Sequence, residues 1–247
     1  MPDVKLSQLA AASAASVAAG AGLWTMAGHI LGLRMEYVGP ASIRVSSGSA
    51  WIPSLQQAIE VPTALTLSGL TLAANTWYHV FLYLNGAVPA IEVVTVVPAA
   101  PYSGSARAKT GDTSRRYVGS FRTDASGAII KFNHNAFGNA VDYVADINLA
   151  ALYVLANGSA TTSTSVSMAT AVPVTSRQAR LFSEQTGGTS TGIMSNSDVA
   201  GSGVLAFARA GQVYAGVLAL NSSQAFTYFV SGAGQLNVWC AGYYYER

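Results

Sequence analysis

The stretch TWYHVFLYLNGAVPAIEVVTVV, residues 76–97, constrains the fold more than any other part of the chain. Two runs of β-branched and aromatic residues flank Asn85-Gly86, the pair that most readily takes the positive φ angles of a type I′ turn, so an antiparallel hairpin is predicted. With those two residues as the loop, Leu84 faces Ala87 and the register sets His79 opposite Glu92. One face of the first strand carries Tyr78, Val80, Leu82 and Leu84, and the other carries Trp77, His79, Phe81 and Tyr83. Both faces are largely apolar. The strand is therefore expected at the centre of a sheet, or with its aromatic side under a second sheet or subunit.

The period of two recurs on both sides of the hairpin. In ASIRVSSG, residues 41–48, Ala41, Ile43 and Val45 share one face and Ser42, Arg44 and Ser46 the other, a half-buried strand. Residues 98–114, PAAPYSGSARAKTGDTS, are rich in Pro, Gly and Ser and read as an exposed loop. In RRYVGSFR, which follows, Tyr117 and Phe121 point one way, and Arg116, Val118, Ser120 and Arg122 the other. TDASG then turns the chain into AIIKFNHN, a second hairpin. LAALYVLA closes this part near Ala156, and NGSATTSTSVS, residues 157–167, reads as a linker or a loop between two β units. After it come GVLAFA, QVYAGVLAL, AFTYFV and QLNVWCAGYYY, short strands separated by Gly turns, as in a sandwich or barrel.

Residues 1–35 differ from everything after them. From Leu6 to Leu33 only His29 can carry charge, and Ala, Ser and Gly dominate. A short helix is expected here, interrupted by Gly20, Gly22 and Gly28. Its large apolar groups are too few for a core, so the segment reads as an arm that docks on something else or packs against its copies. It is not read as a secretory signal, because its apolar part is Ala and Ser, and Asp3 sits where positive charge is required. The fold class that follows is mainly β: an Ala-rich, partly helical N-terminal arm (1–35), then two antiparallel β-sandwich-like domains (36–157 and 158–247).

Charged residues are 10% of the chain and the formal net charge is +2. Chains with so few charges fold as β-sheet with polar but uncharged surfaces or lose surface to partner subunits, and the second, an obligate oligomer, is the expectation. The weak net charge argues against wholesale nucleic-acid binding, and no apolar run reaches transmembrane length, so neither nucleic acid nor membrane insertion is expected. A single cysteine, Cys240, excludes an internal disulfide framework and a multi-thiolate zinc site.

Catalytic chemistry has little to draw on. His29, His79 and His134 are scattered without ligand spacing, so no metal and no cofactor is expected. Asp142 and Asp146 would share a helical face, although carboxylates in a loop more often cap turns. GxSxG, P-loop and GxGxxG motifs are absent, and Cys240 reads as a small core residue. The expectation is a binding protein and not an enzyme. Aromatics with polar tips suit carbohydrate or protein recognition, and the C-terminal candidates are Trp239, Tyr243, Tyr244 and Tyr245. For Trp77, Phe81 and Tyr83 of the hairpin, core or subunit contact is the expected use. RAKTGDTSRRYVGSFR, residues 107–122, holds five of the thirteen Lys and Arg residues. There Arg115, Arg116 and Arg122 are expected to form inter-subunit pairs or hydrogen bonds to backbone carbonyls, with an anionic host surface as the rival partner.

The run from MEYVGPASIRVSSGSAWIP through NTWYHVFLYLNG to SARAKTGDTSRRYVGSFRTDASGAIIKF resembles a module of tail-fibre and receptor-binding proteins of tailed bacteriophages. DVKLSQL near the N-terminus resembles the opening of many such fibres, and LNVWCAGYYYER is similar to the closing strand of fibre-tip domains. The resemblance implies a homotrimeric virion protein, a short tail fibre or baseplate appendage. Its N-terminal arm, with Leu6, Leu9, Val17, Leu23 and Trp24 as candidates, would contact other tail or baseplate proteins, and its distal β domains would meet a host surface glycan or outer-membrane protein. The chain departs from long fibres in lacking an extended repetitive shaft. A purely structural adaptor or head-decoration protein is the alternative, and a polysaccharide depolymerase on the same scaffold the lesser one.

Overall fold

A computed structural model describes residues 27–135, 139–187, 191–196 and 206–247. Within them the chain is mainly β, in five antiparallel sheets. The first joins β1 (Ile30–Gly32), β4 (Gly48–Ile52) and β5 (Gln57–Val61), and the second joins β2 (Met35–Gly39), β3 (Ser42–Val45) and β6 (Leu65–Leu67). The third has the order β8-β7-β10-β9, with β7 (Trp77–Asn85), β8 (Val88–Val94), β9 (Ala108–Lys109) and β10 (Asp112–Arg122). The fourth has the order β11-β12-β20-β15-β18, from β11 (Phe132–His134), β12 (Ala140–Tyr143), β15 (Ser176–Thr186), β18 (Val213–Ala219) and β20 (Gln235–Tyr245); β13 (Tyr153–Gly158) also pairs with β20. The fifth has the order β14-β19-β16-β17, with β14 (Thr164–Ser167), β16 (Thr191–Ser195), β17 (Ala206–Arg209) and β19 (Ala225–Ser231). The N-terminal arm through residue 26, with Leu6, Leu9, Val17, Leu23 and Trp24, lies outside the described residues.

The hairpin forms at the expected place, but its loop is Gly86-Ala87 and its register runs from Asn85↔Val88 through Phe81↔Glu92 to His79↔Val94. Pro89 explains the shift. Pairs flanking a two-residue loop alternate between hydrogen-bonded and non-bonded, and the expected register would have placed Pro89, which has no N–H, in a bonded pair with Leu82. In the observed register Pro89 faces Leu84 in a non-bonded pair on the edge strand. Gly86 takes φ 64° at the first loop position, where a type II′ turn asks for glycine. Tyr78 to Leu82 are all buried, in keeping with the central place of β7.

Two further expectations change. Residues 98–114 are not simply an exposed loop: Ala106, Arg107 and Ala108 are buried, and β9 pairs with β10. In β10 the alternation is broken by a bulge between Tyr117 and Gly119, so Tyr117 pairs with Phe81 and Gly119 with Val80. The extra residue, Val118, turns the rest of the strand over. Arg116 and Arg122 therefore fall on opposite faces, and Tyr117 shares its face with Ser120 and not with Phe121.

Residues 157–167 also differ from a linker. Asn157 and Gly158 end β13, and residues 164–167 form β14, paired with β19. Residue 157, the expected domain boundary, thus lies inside a strand whose Tyr153, Leu155 and Gly158 face Trp239, Val238 and Leu236. The buried side chains of the five sheets form one hydrophobic cluster running from Leu33 to Tyr245. Asp142 and Asp146 share no helix. The first lies in β12, and the second accepts the Asn148 backbone N–H at 2.9 Å in a turn.

Candidate functional site

Strand β20 decides which C-terminal aromatics face solvent. In a period-two strand neighbouring side chains point to opposite faces, so YYY cannot be all core or all surface. Tyr243 is 1% exposed and its hydroxyl donates to the Ser120 carbonyl oxygen at 2.8 Å, while the Tyr245 hydroxyl donates to that of Val118 at 3.1 Å. Burial holds both phenols well above their ordinary range. These two tyrosines are corrected from surface candidates to core residues that fasten β20 onto β10. Tyr244, between them, is 38% exposed.

The face that Tyr244 shares is built across six strands by register. One row runs Ala215, Phe182, Trp239, Tyr153; the next runs Val217, Arg180, Gly242, Asp142, Asn133; a third runs Ala219, Gln178, Tyr244, Ala140. A bulge at Ala241 keeps Trp239 and Tyr244 on the same side even though five positions separate them. Trp239 and Tyr153 stack with ring centroids 4.9 Å apart and planes 12° apart, and the Tyr153 hydroxyl donates to Asn237 Oδ1 at 2.5 Å. Asn237 also accepts the Asn157 backbone N–H at 2.8 Å, so the stack is held in place. Phe182, 37% exposed, lies next to Trp239 across the strands, and an Arg180–Asp142 ion pair borders the aromatics.

Where β11 meets β2 this face ends in a cleft of about 270 Å³ lined by Arg34, Glu36, Tyr37, Lys131, Asn133 and His134. His134 Nδ1 accepts the Met35 backbone N–H at 3.0 Å and so ties the two edge strands together. Glu36 is matched by Arg44 at 2.5 Å.

The remaining expected site residues are used internally. Arg116 is 0% exposed; its Nη1 donates to the carbonyl oxygens of Arg107 at 3.1 Å and Tyr117 at 3.3 Å, and its guanidinium lies 5.7 Å from the Tyr102 ring. Phe81 is equally buried. Both are enclosed by their own chain, and the carbonyls that Arg116 reaches belong to that chain. Arg122 is buried with its guanidinium 5.9 Å from the Trp77 ring, and the Trp77 indole N–H donates to the Ala169 carbonyl oxygen. Arg115 lies 3.9 Å above the Tyr83 ring and pairs with Glu92, which also takes Lys109 at 2.9 Å.

His79 was expected to face Glu92. Instead its Nδ1 meets Ser120 Oγ at 2.7 Å, Ser120 Oγ meets the Tyr117 hydroxyl at 2.7 Å, and that hydroxyl meets Thr175 Oγ1 at 3.0 Å. A histidine beside a serine has the residue types of a base and nucleophile, but burial lowers the His79 imidazole to about 4 and closes the pair inside the core. Burial likewise pushes the Cys240 thiol up to about 12, which suits a core residue and not a nucleophile. Among the described residues, no group of three or more His, Cys, Asp or Glu is placed to hold a metal ion. No helix among them is long and apolar enough to cross a membrane.

Trp239 and Tyr244 of this face stand out in the sequence, whereas Phe182, Tyr153, Arg34 and Lys131 join it only in the structure. For Phe182 a signal existed: in SRQARLFSEQT it alternates in step with Gln178, Arg180 and Glu184, an aromatic on a polar face. Arg34 and Lys131 are 97 positions apart and only the tertiary structure joins them. Compared with known proteins, the chain matches no family model, no curated protein and no solved structure.

Proposed function

We propose that this protein is a homotrimeric short tail fibre or baseplate appendage of a tailed bacteriophage, fixed to the virion by its N-terminal arm, and that it binds the bacterial host surface. The observation that carries the binding role is the outer face of the β11-β12-β20-β15-β18 sheet. Flat aromatic surfaces (Trp239, Phe182, Tyr153 and Tyr244) lie there among polar groups able to orient a ligand (Arg180, Asp142 and Gln178). Rings held rigid in this way lose little entropy on contact and present their faces to sugar or protein. Binding without turnover is the reading, because the histidine and cysteine with the most shifted acidity are both buried.

The test is direct. Purified protein is expected to label host cells and to block phage adsorption, and Trp239→Ala is expected to lose both properties while folding normally. Absence of labelling at micromolar concentration transfers the assignment to a structural adaptor. That second reading has its own observation: on the edge strand β18, Val213 is 65% and Val217 44% exposed, an apolar border suited to a subunit contact. A trimeric mass in solution, reduced to monomer by Val213→Lys with Val217→Lys, is the expected result for a trimer built on that edge.

A further inference from the structure

In a chain so poor in charge, the described cations are mostly matched. Arg44 pairs with Glu36, Arg107 with Glu246, Lys109 and Arg115 with Glu92, and Arg180 with Asp142. Arg116, Arg177 and Arg247 donate to backbone carbonyls. The Arg122 guanidinium faces the Trp77 ring. Arg34 and Lys131 differ, because among the described residues no hydrogen bond, ion pair or ring contact engages either of their charged groups. These two unmatched cations line the same cleft, although one precedes β2 and the other precedes β11, strands of different sheets. The acid beside them, Glu36, is already taken by Arg44, so the cleft carries net positive charge.

The cleft is continuous with the aromatic face. Asn133, which lines it, stands in register with Asp142, and Asp142 with Gly242 of β20, so the cleft lies about two strand spacings, or roughly 10 Å, from the strand carrying Trp239 and Tyr244. We propose that the Arg34–Lys131 cleft is the acid-reading end of the binding face, and that it holds a sugar carboxylate of an acidic polysaccharide whose neighbouring rings lie on Trp239 and Phe182. This inference rests on the host-binding role proposed above and narrows its ligand to uronic-acid-type glycans. An arginine fork and an ammonium suit one singly charged carboxylate, while Asn133 and Tyr37 offer further hydrogen bonds to ring hydroxyls. Because the cleft is open to water, its contribution is screened by salt.

The experiment is calorimetric titration of the full chain with polygalacturonate, hyaluronate and alginate, against dextran and pullulan as neutral probes. The expected result is a preference of about tenfold or more for at least one acidic probe, falling toward unity in 0.5 M salt and in Arg34→Gln with Lys131→Gln, about 1.4 kcal/mol per tenfold. Equal binding of acidic and neutral probes, binding of none of them, or a preference unchanged in the double variant overturns the inference. Failure of the host-binding reading looks different: wild-type protein then leaves host cells unlabelled whatever it does with purified polysaccharide. Circular dichroism on the double variant separates lost preference from lost fold.

Discussion

Trp239 lies flat against Tyr153, with ring centroids 4.9 Å apart, and Tyr153 is anchored in turn to Asn237, two residues before Trp239 on the same strand. The stack is thus oriented by the strand that carries it. Stacked aromatic pairs contribute about 0.5–1.5 kcal/mol beyond their buried area. Trp239→Ala is expected to weaken binding to host cells by at least about tenfold. Tyr153→Phe, which keeps the ring and loses the anchor, is expected to weaken it by only a few-fold, measured by cell-labelling titration. Equal losses would mean that the hydroxyl, and not the ring faces, carries recognition.

Tyr243 provides the contrast. Its hydroxyl serves the core by donating to Ser120. Tyr243→Phe leaves that buried carbonyl without its donor and should cost about 1–2 kcal/mol, a fall in Tm of roughly 2–6 °C, with host binding unchanged. Calorimetry and the labelling assay together check this; weaker labelling with unchanged Tm would contradict the placement of Tyr243 in the core.

The Arg116 guanidinium is fully buried, and among the described residues it has no carboxylate partner and its Nε and Nη2 have no hydrogen-bond partner. A buried charge of this kind gives little net stability relative to an apolar group of similar shape. Arg116→Met is accordingly expected to stay within about 1.5 kcal/mol of wild type, whereas Arg116→Ala, which also leaves a cavity, should cost about 2–5 kcal/mol. Urea denaturation distinguishes them, and both variants should keep whatever oligomeric mass the wild type has.

His79 makes stability depend on pH. Its folded value is about 4 against an ordinary 6.5, so between these limits the unfolded chain binds the proton and the folded chain does not. Stability is then fully present above pH 6.5 and falls as pH drops toward 4, by about 3 kcal/mol in all from this residue. Urea midpoints at pH 7.0, 5.5 and 4.5 should decline in wild type and decline less in His79→Gln. Parallel declines in the two proteins would remove His79 as the cause.

Gly242 sits where β12 and β20 approach closely: a Cβ there would meet the Val141 carbonyl oxygen and the Asp142 Cα, both backbone atoms. Gly242→Ala is expected to push these strands apart, lower Tm by several degrees and shift the Arg180–Asp142 pair that borders the aromatics. Amide hydrogen exchange at residues 140–143 should rise. A variant with wild-type exchange there would show that the strands can yield without parting.

Much of the β architecture was legible because alternation reports burial locally. Ile43 and Val45 inward with Arg44 outward, the central place of β7 and the core position of Cys240 all follow from composition and period. The hairpin register was missed although its signal was present, since Pro89 lacks the N–H that the expected pairing required. The bulge at Val118 had no comparable mark, and it reversed the faces of the residues after it, which is why Arg116 and Arg122 were first grouped together.

By itself, then, the sequence determined that the chain is β-rich, that one of three consecutive tyrosines must differ from its neighbours in direction, and that few charges are free to act. Those are consequences of strand period and of charge count, which need no long-range contact. Only the tertiary structure decided that Tyr244 is the outward one, that Tyr153 and Phe182 flank Trp239, and that Arg34 and Lys131 share a cleft. Strand pairing between residues tens of positions apart sets those neighbours, and a single bulged residue on either strand would have chosen others.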